Sequence, residues 1–288
     1  WLPLAASWLL MGAEIPMVCA TLSHLADPVV HIGAYGMVFG IALVIESPVI
    51  MLLTASTALS RDWNSYHKLW RLMMWLSAAL TALHALVAFT PLYDWIVVEI
   101  ISAPDSLIEP GRVGLQIMTP WTWAIAHRRF HQGVLIRFGH AHAVGWGTGV
   151  RLLADAAVLG AGLLLNRHAG ILVAATTVAT GVIVEALYIR WKVHHILRGP
   201  LREAEGPALT MRRVLLFYLP IAFAPTIGLL SLPIVNGGLS RLPLPELTLA
   251  AWPAVNSLIF ILRSGGIAFT EVVVALLDRP GSQQQLLR

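Results

Sequence analysis

The stretch Leu2-Pro3-Leu4-Ala5 returns late in the chain as Leu219-Pro220-Ile221-Ala222, and the return continues at that offset without a gap. Pro16 falls on Pro233, Leu22-Ser23-His24-Leu25 on Leu239-Ser240-Arg241-Leu242, and Pro28 on Pro245. Further on, Ala34 meets Ala251, Ser47 meets Ser264, and Ala58-Leu59 meets Ala275-Leu276. Residues 2–62 and 219–279 share 15 identities, where a Leu/Ala/Val-rich composition gives roughly a tenth of positions by chance. Two apolar segments repeated at this distance predict a chain of two like halves, the second breaking off after its first two helices.

Hydrophobic residues make up 57% of the 288 and charged residues 12%, with a mean hydropathy of +0.75. A soluble domain carries about a quarter charged residues, and here apolar runs of about 20 residues recur along the whole chain. The expected class is an all-α polytopic membrane protein. One cysteine, Cys19, excludes an internal disulfide framework and thiolate metal clusters. The pI of 9.6 invites a nucleic-acid reading, but the basic residues lie between spans, where they set membrane orientation. No nucleic-acid partner is expected. The chain starts at Trp1 inside an apolar stretch and stops in the polar run Asp278-Arg279-Pro280-Gly281-Ser282-Gln283-Gln284-Gln285. We read it as a fragment of a longer protein without a cleavable signal peptide.

Eight spans are expected, at about 2–24, 32–59, 69–91, 113–135, 144–166, 170–190, 214–238 and 248–276. A cytoplasmic N-terminus puts Arg61, Lys68, Arg71, Arg137, Arg190, Lys192, Arg198, Arg202, Arg212, Arg213 and Arg279 on one side. The other side then holds only Arg112, Arg167 and Arg241 among the basic residues, with Asp27, Asp94, Asp105, Glu109 and Glu246. This asymmetry fixes the orientation, and a bacterial inner membrane is the expected location. Segment 92–112, with Pro104, Pro110 and Gly111, reads as a short surface helix and a turn. The expected organisation is a six-helix lobe at 1–190, a basic cytoplasmic linker at 191–213 and the start of a second lobe at 214–288. Six helices separate the repeat starts, so the halves share one orientation and a pseudo-twofold axis along the membrane normal.

Charges inside spans are functional candidates by default. Glu46 lies mid-way through the second span, and the repeat matches it to Arg263. Equivalent helices face each other across a central cleft, so these two are expected to pair as a gate or form a charged substrate site. The alternative is that each is satisfied within its own half, near Pro48 or the Gly265-Gly266 break. Glu14 lies two residues before Pro16, whose ring frees a carbonyl, so this kink is a site for a proton or cation, or a buried neutral carboxyl. Pro233 repeats the kink, Pro48 makes another, and Glu271 is a local partner for Arg263. Arg151 and Asp155, spaced i, i+4, read as a structural ion pair. Arg128, Arg129 and His131 form a candidate anion site near the inner end of the fourth span, or snorkel to the interface. Glu185 is less explained, and His84 reads as polar packing. His140, His142, His194 and His195 fall in inner loops without metal spacing. No phosphate loop or nucleophile elbow occurs, so no catalytic residue, metal or cofactor is expected.

The repeat, the phrase Leu2-Pro3-Leu4-Ala5…Leu22-Ser23-His24-Leu25 and the run Arg129-Phe130-His131-Gln132-Gly133-Val134-Leu135-Ile136-Arg137 resemble the multidrug/oligosaccharidyl-lipid/polysaccharide flippase superfamily. The MATE-type efflux transporters belong to it. The resemblance implies twelve helices in two bundles around a V-shaped cavity, with helices one, two, seven and eight lining the gate. Many MATE transporters resemble one another in an aspartate on helix one used in ion coupling. Gapless matching puts Val18 there, with Glu14 one turn earlier, so the coupling ion, proton or sodium, stays open. The intramembrane arginines fit the progressive-ankylosis-like branch, which is similar and exports small anions.

The expected function is therefore a secondary transporter or exporter of a small organic or anionic solute, working by alternating access. The rivals are a lipid or lipid-linked glycan flippase, multidrug efflux, and a non-transporting membrane scaffold. The lack of convergent His, Asp and Glu groups at one depth speaks against an enzyme.

Overall fold

The computed structural model describes residues 2–165, 169–206 and 209–276, the side chains of residues 2–5, 271, 275 and 276 excepted. No strand occurs among the described residues. The helices follow in order as α1 Leu2–Gly12, α2 Glu14–Leu22, α3 Pro28–Ile50, α4 Leu52–Leu59, α5 Trp63–Phe89 and α6 Leu92–Asp94. A π-helical turn at Trp95–Ile101 leads to α7 Asp105–Ile117, α8 Thr119–Arg137, α9 Ala141–Leu165, α10 Gly170–Arg198 and α11 Pro200–Glu203. Last come α12 Met211–Leu229, α13 Ser231–Leu239 and α14 Pro245–Leu276.

The repeat in the sequence is a repeat in the backbone. Proline removes the N–H that would reach the carbonyl four residues back, so Pro16 and Pro233 release Gly12 and Leu229. The helices break right after those residues, at Ala13 and at its counterpart Leu230. Asp27 and its counterpart Leu244 both adopt the left-handed conformation, φ 48° and 56°. Each precedes a proline that opens the next helix, α3 at Pro28 and α14 at Pro245. The copies then diverge. Pro48 releases Val44, whose carbonyl lies 2.8 Å from the Ser47 hydroxyl, and the helix is interrupted at Met51. Where α3 has Pro48-Val49, α14 has Gly265-Gly266 and runs on unbroken.

Among the described residues, six stretches are long and apolar enough to cross a membrane: Pro28–Leu59, Trp63–Phe89, Ala141–Leu165, Gly170–Arg198, Met211–Leu239 and Pro245–Val274. The remaining expected spans, 2–24 and 113–135, are helical but less clear-cut. The first is broken at Ala13 and the second carries buried charge on α8. Two elements differ from expectation. Segment 104–111 is not a turn: α7 runs from Asp105 through Pro110, and Tyr93 donates 2.8 Å to the Ile108 carbonyl. Gly111 makes room for that hydroxyl, because a Cβ there would lie 2.3 Å from it. Helix α10 also continues to Arg198, so the first residues of segment 191–213 are helical.

The central helices are α3–α4 and α10, each with 61% of its most apolar window buried, against 28% for α5 and α9. Helices α12–α14 pack on α1–α4 in a reciprocal pattern: α1 lies on α14 as α12 lies on α3. In the repeat α12 corresponds to α1, and α14 to α3. This exchange is what a twofold relation demands.

Candidate functional site

Where α3 crosses α14, counterparts meet. A Cβ on Gly36 would lie 2.3 Å from the Pro253 ring, and one on Gly33 would lie 3.6 Å from the Ala250 nitrogen. Both pairs stand at the same offset as Leu2 and Leu219. A space of about 20 Å³ at this crossing, about the room one water needs, is lined by Ile15 with Leu232, Tyr35 with Trp252, and Phe39 with Asn256. These too are repeat counterparts, so the space straddles the pseudo-twofold axis.

Glu46 and Arg263 are likewise counterparts, but the structure does not bring them together. Glu46 is 2% exposed, Arg263 is on the surface, and no ion pair among the described residues joins them. The reason lies in the crossing. Ten residues beyond it, about 15 Å along a helix, each helix has moved onto the other segment's first helix. Helix α14 presses Ile261 against Gly12, whose Cβ would lie 2.5 Å from it. On α3, Ser47 stands 2.9 Å from the Thr226 hydroxyl, and Pro48 accepts a 2.5 Å hydrogen bond from Tyr218. At the opposite end of the bundle Arg241 donates 3.0 Å to Ser102, and the Ser106 hydroxyl donates to Glu246.

The charge chemistry lies inside the first bundle. Arg151 of α9 donates to Glu14 of α2, with Asp155 at 3.9 Å and Glu185 of α10 at 3.8 Å. Arg128 of α8 donates 2.5 Å to the other side of the cluster, Glu185 Oε2, and Gln132, one turn on, donates 2.9 Å to Glu185 Oε1. Thus Arg151 has Asp155 as its expected i, i+4 neighbour but Glu14 as its closest partner. Glycine at 181 admits the aspartate, since a Cβ there would lie 1.9 Å from Asp155 Oδ1. Glu14, Arg128, Arg151, Asp155 and Glu185 are each 4% exposed or less.

Of the candidate anion site, Arg128 is held by Glu185 and does not snorkel. Arg129 is 6% exposed with its guanidinium 4.8 Å from the Trp8 ring, which lies 5.9 Å from Phe260 of α14. His131 is buried and its Nδ1 donates 2.8 Å to the His127 carbonyl. His84 bridges Thr122 and the Leu115 carbonyl, as a packing histidine does. The Glu271 side chain lies outside the described residues. Sequence reasoning missed Glu185 as a hub, Gln132 as its support and Gly181 as the gap that admits Asp155. The i, i+4 spacing of Arg128 and Gln132 was the one available signal.

Three solved structures share this fold. A MATE multidrug transporter, DinF-BH, solved as a complex, matches at a TM-score of 0.72 and 11% identity, over 94% of this chain and 62% of its own. The inward-facing conformation of a multidrug resistance MATE family transporter of the MOP superfamily matches at 0.70 and 12%, over 92% and 66%. A third chain, protein A, matches at 0.73 and 12%, over 96% and 63%. No family model and no curated protein matches the sequence. The chain thus spans just under two thirds of the length of the structures it resembles. It is an integral membrane protein with a MATE-like fold.

Proposed function

We propose that this protein is a MATE-like secondary transporter of a small solute. In this reading it crosses a bacterial inner membrane eight times with its N-terminus in the cytoplasm, and it is not an enzyme. Alternating access comes from α12–α14 moving against α1–α4 about the Gly36–Pro253 crossing. The observation that carries the reading is that crossing: counterparts meet on an axis within a fold that multidrug transporters share. The contact there is a glycine against a proline ring, with little side-chain interlocking to undo.

The orientation is supported by the way basic ends gather. Lys68 donates to the Leu209 carbonyl, and Arg202 sits 4.5 Å from the Trp63 ring. The N-terminal end of α5 and the segment between α10 and α12 therefore share one end of the bundle, which the positive-inside rule makes cytoplasmic.

The buried charges support a switch. Among the described residues Glu14, Glu46, Asp155 and Glu185 are buried with Arg128, Arg129 and Arg151, one carboxylate more than guanidinium. A buried uncompensated charge costs several kcal/mol, so in this reading one carboxyl carries a proton. Neither Asp155 oxygen has a hydrogen-bond partner, nor does Glu46 Oε2. Loss of that proton re-sorts the bonds around Arg151, and with them the tie from α9 to the broken helix α1–α2. The coupling ion is then H⁺ rather than Na⁺, because Arg151 already supplies a fixed cation to the carboxylates. Arg263, exposed on α14, is a positive group open to an anionic solute.

Pulsed electron spin resonance on the full-length protein tests the motion. Spin labels at Asp105 and Leu247 report the separation of α7 from α14 at the outer end, with Cys19 replaced by serine. Two distance populations, re-weighted by Arg151→Gln, are expected. One fixed distance in both proteins overturns the reading.

A further inference from the structure

Far larger than the space on the axis is a cavity of about 510 Å³ where the start of α9 meets the end of α10. Its wall brings together histidines from two different helix ends: the His140 and His195 rings stand 4.9 Å apart, edge to face. His142 and Lys192 complete a rim rich in hydrogen-bond donors, with Lys192 its fixed positive charge, and no aspartate or glutamate is among its described lining residues. The histidines are not gathered as metal ligands, for no group of three metal-binding side chains occurs among the described residues. Aromatic surface adjoins this charge. Trp146, one turn along α9 from His142, is 71% exposed, and Trp191 on α10 is 67% exposed. The Lys192 ammonium lies 4.4 Å from the Trp191 ring and 5.6 Å from that of Tyr188.

We propose that this cavity binds the phosphate headgroup of an anionic phospholipid. Lys192 supplies charge, and Lys192 and the histidines supply hydrogen-bond donors to the phosphodiester. Trp146 and Trp191 sit at the depth of the glycerol backbone, where indole rings favour the membrane interface. That two-part surface fits a lipid better than a free anion, which has no use for exposed indoles one turn further in. Bound there, a lipid bridges α9, the helix of Arg151 and Asp155, to α10, the helix of Glu185. The site needs a membrane but not transport, so it stands or falls separately from the function proposed above.

Native mass spectrometry of the full-length protein in non-ionic detergent tests the site, with phosphatidylglycerol and phosphatidylcholine of identical acyl chains. Phosphatidylglycerol is expected to bind more tightly. The variant Lys192→Gln is expected to weaken it roughly fivefold, the effect of one basic residue at a lipid surface, and Lys192→Gln/His195→Gln further. Lys192→Arg is expected to retain binding, which separates charge from any loss of fold. Equal affinity for the two lipids, or no change in Lys192→Gln, overturns the proposal. Displacement of the lipid by an equal concentration of inorganic phosphate also overturns it, in favour of a free-anion site.

Discussion

Gly36 and Pro253 are the same position in two copies of one repeat, and they touch. Two equivalent residues meet only on the axis that relates them, so this contact locates the pseudo-twofold axis of the molecule. The proposed motion follows from that location. Above the contact, the π-helical turn and α7 face the α13 and α14 ends through Arg241–Ser102 and Ser106–Glu246. Below it, α3 and α14 part company, each onto the other's partner helix.

A side chain at the axis wedges it open. The substitution Gly36→Val puts methyl groups where the Pro253 ring now lies. The Asp105–Leu247 spin-label distance is expected to shift wholly to its longer population. Thermal unfolding is expected to change less than for Gly181→Ala, because this contact joins α3 to α14 rather than two helices of the first bundle.

The Glu14–Arg151 bond is expected to behave as a coupled pair. Arg151→Gln leaves Glu14, Asp155 and Glu185 without their shared cation, and breaking a buried pair this way costs about 3–5 kcal/mol. Glu14→Gln/Arg151→Gln is expected to be less destabilised than Arg151→Gln alone. A double-mutant cycle on unfolding in detergent measures this, and strict additivity would show that the two side chains act independently.

Gly181 is expected to be intolerant for a stated reason. Alanine there collides with Asp155 and costs about 1–3 kcal/mol as overpacking. Gly149→Ala is the control, since nothing lies within 4 Å of a Cβ there. Asp155→Ala in the Gly181→Ala background is expected to recover part of the loss in melting temperature.

The proposed orientation has a direct consequence. In the Cys19→Ser background, a cysteine at Ala26 is expected to react with an impermeant maleimide added to intact cells. One at His194 is expected to react only after the cells are opened.

Much of this architecture was legible because it is written as local chemistry. The prolines at 16 and 233 announce the breaks, since proline acts on its own neighbourhood whatever surrounds it, whereas the helices that open at Pro28 and Pro245 begin ahead of the expected spans 32–59 and 248–276. The twofold relation was legible from the offset alone. What the offset could not tell was how far counterparts stay together. Gly36 and Pro253 meet while Glu46 and Arg263 do not, because the crossing point is set by packing of whole helices. The Arg151 site was half legible. Asp155 lies on the same helix at i, i+4, but Glu14 and Glu185 come from α2 and α10, and only the tertiary fold brings them in. Likewise His140 and His195 read as unremarkable loop residues until α9 and α10 are set side by side.

The central claim is that the chain moves a solute and that the Glu14–Arg151 network governs the movement. The most direct test compares exported and retained metabolites, untargeted, in cells expressing the full-length protein, Glu14→Gln, Arg151→Lys or no transporter. The account predicts a specific solute accumulating outside with the unaltered protein and falling at least tenfold, on the order of 1.4 kcal/mol, with either substitution at matched expression. Export profiles that coincide with those of cells lacking the protein would contradict it.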